Sequence, residues 1–169
     1  MRLALLLLAA AVNPALAADS KPEITRDAVT PQAVGAPHSV RTIPEACARL
    51  EGMFTGEAAQ PYKFAAVRTS PKCQPRARFV DAAKATPSEQ AGWRLNDLIR
   101  IPNAACPGQI AAVRVWRKPV EVAPPGLDAQ GRSRIYLADA RAKSAAATQP
   151  PEVTLFAAEM AVEGAACGG

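Results

Sequence analysis

Between Tyr62 and Glu163 the chain alternates apolar and polar side chains in short runs, the period of strands with one buried face. Tyr62 to Thr69 and Arg76 to Asp81 flank the turn SPKCQP and read as a hairpin. Trp93 to Ile101 alternates until Asp97-Leu98 breaks the phase, as a β-bulge does. Ala112 to Val122 is rich in β-branched residues, with Val113 and Val115 on one face and Arg114 and Trp116 on the other. Pro119 has no N–H for a ladder and confines the later part of that run to an edge or a strand end. Leu127 to Gly131 is a turn into a short strand, Arg134 to Leu137. Val153 to Glu163 closes the pattern, with Thr154, Phe156, Ala158, Met160 and Val162 as its inward row.

Helical spacing is confined to short pieces. Thr42-x-x-Glu45 is a capping-box pattern with Pro44 in the first turn, where its missing N–H costs little. Ile43, Cys47, Leu50 and Phe54 follow at helical intervals, which predicts a helix over 43–51 ended by Gly52; the competing reading is a strand through LEGMF. Thr86 to Glu89 offers one further turn before Gly92. Residues 138–151 carry no large apolar side chain and read as a loop or a loose alanine-rich helix. Six candidate strands at short intervals predict a mainly β, β-rich α+β fold: a small antiparallel sandwich or barrel with a short N-terminal helix.

The N-terminus has a different composition. Arg2 precedes Leu3 to Val12, an uncharged run of Leu, Ala and Val; Asn13-Pro14 breaks it, and Ala15-Leu16-Ala17 presents small residues where a signal peptidase reads them. Residues 1–17 are therefore expected to be a cleaved secretory signal peptide, since a membrane-spanning helix needs about 20 apolar residues. Residues 18–41 mix Pro, Ala, Thr and charge without periodicity or any of the eight Phe, Trp and Tyr side chains, and read as a disordered arm. The expected folded domain is 42–169, and the expected location is the periplasm or the medium.

Export gives the cysteines their meaning. Cys47, Cys73, Cys106 and Cys167 contain no C-x-x-C pair, which argues against a thioredoxin-like redox site and a four-cysteine zinc site. An even count in an exported chain reads instead as two disulfides. Three connectivities are open. Strand parity puts the loops holding Cys73 and Cys106 at one end of the domain, which favours Cys73–Cys106 with Cys47–Cys167.

Charge and motifs exclude more than they assign. Fourteen of the twenty basic residues are arginine, and loss of Arg2 with the leader leaves 19 − 15 = +4, an ordinary excess with a mild bias towards anionic partners. That is too weak for nucleic-acid binding. The one histidine, His38, falls in the arm and reads as a solvated linker residue, which excludes histidine-dependent nucleophile systems and histidine-built metal sites from the folded domain. No serine-lysine, G-x-S-x-G, dinucleotide or phosphate-loop motif occurs, and no cofactor or metal is expected. Glu51, Asp81, Asp97, Glu121, Asp139 and Glu159 remain for carboxylate catalysis, with nothing in their spacing to select a pair.

The positive feature is arginine on strands. Arg94, Arg114 and Arg134 alternate with apolar positions, and Trp116 shares the outward phase of Arg114, so the four are candidates for an exposed binding face; the plainer reading is a solvated outer face of a sheet. These observations favour a non-catalytic cell-envelope module that binds an anionic envelope polymer or a partner protein, with no membrane span in the mature chain. A carboxylate-dependent hydrolase of envelope glycans and an immunity or inhibitor protein are the alternatives.

Overall fold

The architecture comes from a computed structural model, which describes residues 20–118 and 153–164. In chain order these contain β1 (His38–Ile43), a 3₁₀ turn (Pro44–Ala46), β2 (Ala48–Phe54), β3 (Tyr62–Arg68), β4 (Arg78–Phe79), α1 (Ala82–Ala85), β5 (Arg94–Asn103), β6 (Cys106–Lys118) and β7 (Leu155–Gly164). They form a three-stranded sheet, β1-β2-β3, and a four-stranded sheet, β4-β7-β6-β5. Every neighbouring pair is antiparallel except β4 with β7. The fold is mainly β, and the described residues form no closed barrel.

Alternation explains how the sheets meet. Ile43, Leu50, Phe54 and Tyr62 of the small sheet share one buried cluster with Ile99, Ile101, Val113, Val115, Phe156 and Ala158 of the large one. Full burial of an aliphatic or aromatic side chain of this kind contributes about 1.5–3 kcal/mol. Met160 and Val162 pack against the same cluster, so the inward row expected of the last strand is present from Phe156 onwards. Successive side chains in a strand point to opposite faces, so Trp116, next to Val115, belongs to the other face of the large sheet. There it forms a smaller cluster with Trp93, Leu95 and Ala157, roofed by Ala82 and Ala85 of α1. The side chain of Asp81 caps that helix by accepting from the N–H of Ala83, and Thr86 ends it in a left-handed conformation.

Three expectations from periodicity are corrected. The helix over 43–51 is not formed: Pro44–Ala46 makes a single 3₁₀ turn, Cys47 turns left-handed, and LEGMF lies within β2. Burial of Leu50 and Phe54 at period two against the core outweighs a helical spacing that only half of the segment could have used. The hairpin across SPKCQP is also absent. β3 pairs with β2, whereas β4 joins the other sheet beside β7, so this loop carries the chain from sheet to sheet. Its far end is held by Glu45, whose carbonyl accepts from the N–H groups of both Arg76 and Ala77. Finally, within 20–37 Glu23, Ile24, Gln32 and Gly35 bond to the sheets through the backbone, and 38–41 are part of β1, in place of the expected disordered arm.

The disulfide pattern differs too. Cys47 is bonded to Cys73, with their Cα atoms 5.8 Å apart, which replaces the expected Cys73–Cys106 and Cys47–Cys167 pairs. It ties the turn after β1 to the sheet-crossing loop, an arrangement that parity could not anticipate because it assumed that loop to be a hairpin. Cys106 is disulfide-bonded as well. Cys167, the expected signal peptide, Pro119, the run Arg134 to Leu137 and residues 138–151 lie outside the described residues. No helix among the described residues is long and apolar enough to cross a membrane. The disulfide fits an oxidising extracytoplasmic compartment.

Candidate functional site

The β5–β6–β7 register places the arginines expected to share an outer face. Leu98, Arg114 and Glu159 align across the three strands, and so do Leu95, Trp116 and Ala157. Arg94 aligns with Arg117. The slip in register at Asn96, between Leu95 and Asp97, is the bulge that the broken phase in the sequence signals. Since Arg117 neighbours Trp116 on one strand, Arg94 and Arg117 occupy the face opposite to Trp116 and Arg114. Arg94, Arg114 and Trp116 therefore do not form one surface. Trp116 is not exposed either: it retains 7% of its accessible area, and its indole N–H donates to Glu159 at 3.0 Å. Arg134 lies outside the described residues.

Arg94 and Arg117 belong instead to a clasp made with the N-terminal segment. The N–H groups of Glu23 and Ile24 donate to the carbonyls of Leu95 and Asn96, and that of Gln32 to Pro102; the N–H of Ala104 returns a bond to Gln32. The segment thus runs parallel along the outer edge of β5 before Gly35 donates to Phe54 at the end of β2. Glu23 receives Arg117 at 2.6 Å and Asn96 at 2.9 Å, with Arg94 at 3.9 Å. The Arg117 hydrogen bond holds the Glu23 carboxyl below the usual glutamate range, against the opposing effect of partial burial. Arg26 grips Asp97 through two nitrogens at 2.7–3.0 Å, and Arg41 of β1 approaches the same carboxylate at 3.3 Å. Asp97 has no exposed surface. Its carboxylate is thereby committed to two cations.

The other acids considered for catalysis are also engaged. Glu51 pairs with Arg49, Asp81 caps α1, and Glu159 accepts from Trp116; Glu121 and Asp139 lie outside the described residues. Among the described residues no group of three His, Cys, Asp or Glu side chains is placed to hold a metal. His38 is not a solvated linker residue: it sits in β1 with its Nε2 2.7 Å from the hydroxyl of Tyr62. Burial pushes that phenol well above the ordinary tyrosine range.

The opposite side of the sandwich is built differently. The N–H of Thr69 donates to Cys47 and that of Thr55 to Pro61, bonds that bracket the β2–β3 ladder. With Ala48 opposite Arg68, the residues exchanging paired bonds with β2 are then Lys63, Ala65 and Val67. The backbone groups of Phe64 and Ala66 face the other way, where none of the described residues bonds them. β4 faces this edge. Arg78 and Val80 donate to Thr154 and Phe156 of the large sheet, which turns the backbone groups of Phe79 outward in the same manner. Two adjoining hollows, of about 470 and 400 Å³, lie between these edges and share Ala66, Phe79 and Val80 in their walls. Phe64 and Phe79 are only partly buried against the core behind them. Arg68 and Arg78 line one end of this groove. Arg68 donates to the carbonyls of Ser70 and Cys73, which leaves its charge unneutralised.

The sequence marked neither feature as a site. Arg26 and Arg41 lay in a segment without periodicity, although Ile24 and Val29, spaced by five, were an available sign that it packs. The groove comes from two runs read as partners of a hairpin; only the composition of small residues, Ala65, Ala66 and Ala77, hinted at space beside them. Comparison with protein-family models, with curated proteins and with solved structures returns no match to this chain.

Proposed function

We propose that this protein is a non-catalytic interaction module of the cell envelope, exported by its first seventeen residues and closed by two disulfides, Cys47–Cys73 and a second that pairs Cys106 with Cys167. The observation that carries this reading is the edge of β3, paired by none of the described residues, beside an apolar groove. Exposed strand edges invite association and are ordinarily covered or charged, so an edge left bare next to open core is suited to a partner. The arginines at its end add attraction for negative charge. A partner protein fits this site better than an anionic envelope polymer, because a polymer uses charge but neither strand hydrogen bonds nor an apolar groove. The hydrolase reading finds less support, since Asp97 is held by Arg26 and Arg41.

The test is hydrogen exchange of the mature chain, alone and with fractionated envelope extract. Protection of the Phe64 and Ala66 amides by a protein fraction supports the reading. Protection elsewhere by polysaccharide alone, or release of sugar from an envelope glycan, would replace it.

A further inference from the structure

Resting on the interaction-module reading, we propose that the groove takes an extended peptide as a fourth strand of the small sheet, with apolar side chains at alternate positions and acidic residues at the end beside Arg68 and Arg78. The backbone fixes the conformation. Phe64 and Ala66 present their N–H and C=O groups two residues apart along a strand, a spacing that only another strand can match bond for bond. Tyr62, Phe64, Ala66 and Arg68 alternate on the core side of β3, and burial falls along that row from fully buried Tyr62 to exposed Ala66. The core is therefore open beneath Ala66, where every second side chain of an added strand would enter against Phe79, Val80 and Ala158. Those walls are hydrocarbon, so the entering side chains are apolar.

Charge then gives the peptide a direction. At one end stand Arg68, bonded only to neutral carbonyls, and Arg78, exposed and without an acidic partner among the described residues. At the other end Asp81 and Glu159 line the groove, already engaged with the Ala83 N–H and the Trp116 indole. A carboxylate gains at the first end and is repelled at the second. A lipid or a polysaccharide meets the arginines but leaves the Phe64 and Ala66 donors unused, which is why a peptide is the occupant.

The experiment is fluorescence anisotropy with the full chain and labelled decapeptides of alternating valine and threonine. One pair carries two glutamates at the N- or C-terminal end, for antiparallel or parallel addition; matched peptides carry two lysines. One of the glutamate peptides is expected to bind at least tenfold tighter than its lysine counterpart. Binding is expected to weaken as salt rises, because exposed charges are screened beyond about 8 Å at physiological ionic strength. Methylation of its inward-facing amide nitrogens is expected to abolish it. Arg78→Glu, which cancels the charge of Arg68, should abolish the glutamate–lysine preference with no change in melting temperature, and it keeps the test valid should Ala66→Pro, which removes an edge donor, fail to fold. Equal binding of both charges, or none, overturns the proposal. So does slow exchange at Phe64 and Ala66 in the free protein, which would mean that the chain covers its own edge. Concentration-dependent dimerisation through β3 would assign the groove to a second copy. If peptides fail while an envelope protein still protects these amides, this proposal falls and the broader reading stands.

Discussion

The two sides of this sandwich are finished in opposite ways. Along β5 the N-terminal segment covers the sheet edge, bonds it through the backbone, and inserts Arg26 towards a carboxylate with no exposed surface. Along β3 and β4 the edges face one another across hollows, with backbone groups that none of the described residues bonds. An edge strand is a hazard that chains normally suppress. One covered side shows that this chain has the means to do so, which makes the bare side a feature to explain. The covered side also carries the neutralised charges; the bare side carries the unneutralised arginines.

The sharpest way to break the contrast is to detach the covering segment. Arg26→Ala leaves Asp97 buried with Arg41 as its remaining cation, at 3.3 Å. Loss of one partner of a buried pair costs about 3–5 kcal/mol, and the partial exposure of Arg26 and Arg41 places this case near 3. Urea denaturation should show that loss, and the amides of Glu23, Ile24 and Gln32 should exchange much faster while β3 is unchanged. A loss under 1 kcal/mol would mean that the segment is held by its backbone bonds alone.

Comparable in size is the staple on the other side. Cys47 and Cys73 close 26 residues, including β3 and the sheet-crossing loop. Replacing both by serine should cost about 3–4 kcal/mol in the chain-entropy model, measured by the same denaturation. Non-reducing peptide mapping should return Cys47–Cys73 as one linked pair and Cys106 with Cys167 as the other. A Cys73–Cys106 peptide would overturn both assignments.

These two sides were unequally legible in the sequence. The patterns in Trp93–Ile101, Ala112–Val122 and Val153–Glu163 announced three strands, which the structure pairs as neighbours while starting the second at Cys106, expected in a loop; the broken phase near Asp97 marked a real bulge. What failed was pairing. Tyr62–Arg68 and Arg78–Phe79 are close in sequence and well patterned, yet they belong to different sheets, because the loop between them is tied to Glu45 and Cys47 rather than to itself. Periodicity reports which face is buried; it carries no information about which strand lies alongside. The candidate arginines were misplaced by the same bulge, since one extra residue reverses the face of everything before it. Covering by 20–34 left little trace because it works mainly through main-chain bonds and ion pairs of Glu23 and Arg26, neither of which leaves an apolar rhythm.

A smaller effect sharpens the account of the open side. Gly52 stands opposite Phe64 in β3, and any Cβ there would run into the phenol of Tyr62. The ring is fully buried against Phe54 and bonded to His38, so it has little room to retreat. Gly52→Ala should cost about 1–3 kcal/mol, the usual range for overpacking a core. Thermal denaturation checks it; a neutral outcome would mean that the Tyr62 ring is free to move away from Gly52.

The smallest effect separates charge from backbone on the covered side. Glu23 accepts from Arg117 and Asn96, and the Arg117 bond is the main reason that its carboxyl titrates below the ordinary range. A folded-state pKa lowered in this way adds stability above the unfolded value, and that contribution disappears as pH falls through the folded value. Glu23→Gln keeps an acceptor for Arg117 but removes the charge. At neutral pH the variant should be less stable by at most about 1 kcal/mol, as expected of a solvent-screened pair. Carried down through the acid range, the two denaturation curves should converge, because protonated Glu23 and glutamine then offer the same neutral partner. Raising salt at neutral pH should shrink the difference as well, whereas the main-chain bonds of Glu23 and Ile24 to β5 are indifferent to both. If the gap between wild type and variant widens in acid, the carboxylate is not what Arg117 and Arg94 hold, and the covering rests on hydrogen bonds of the chain itself.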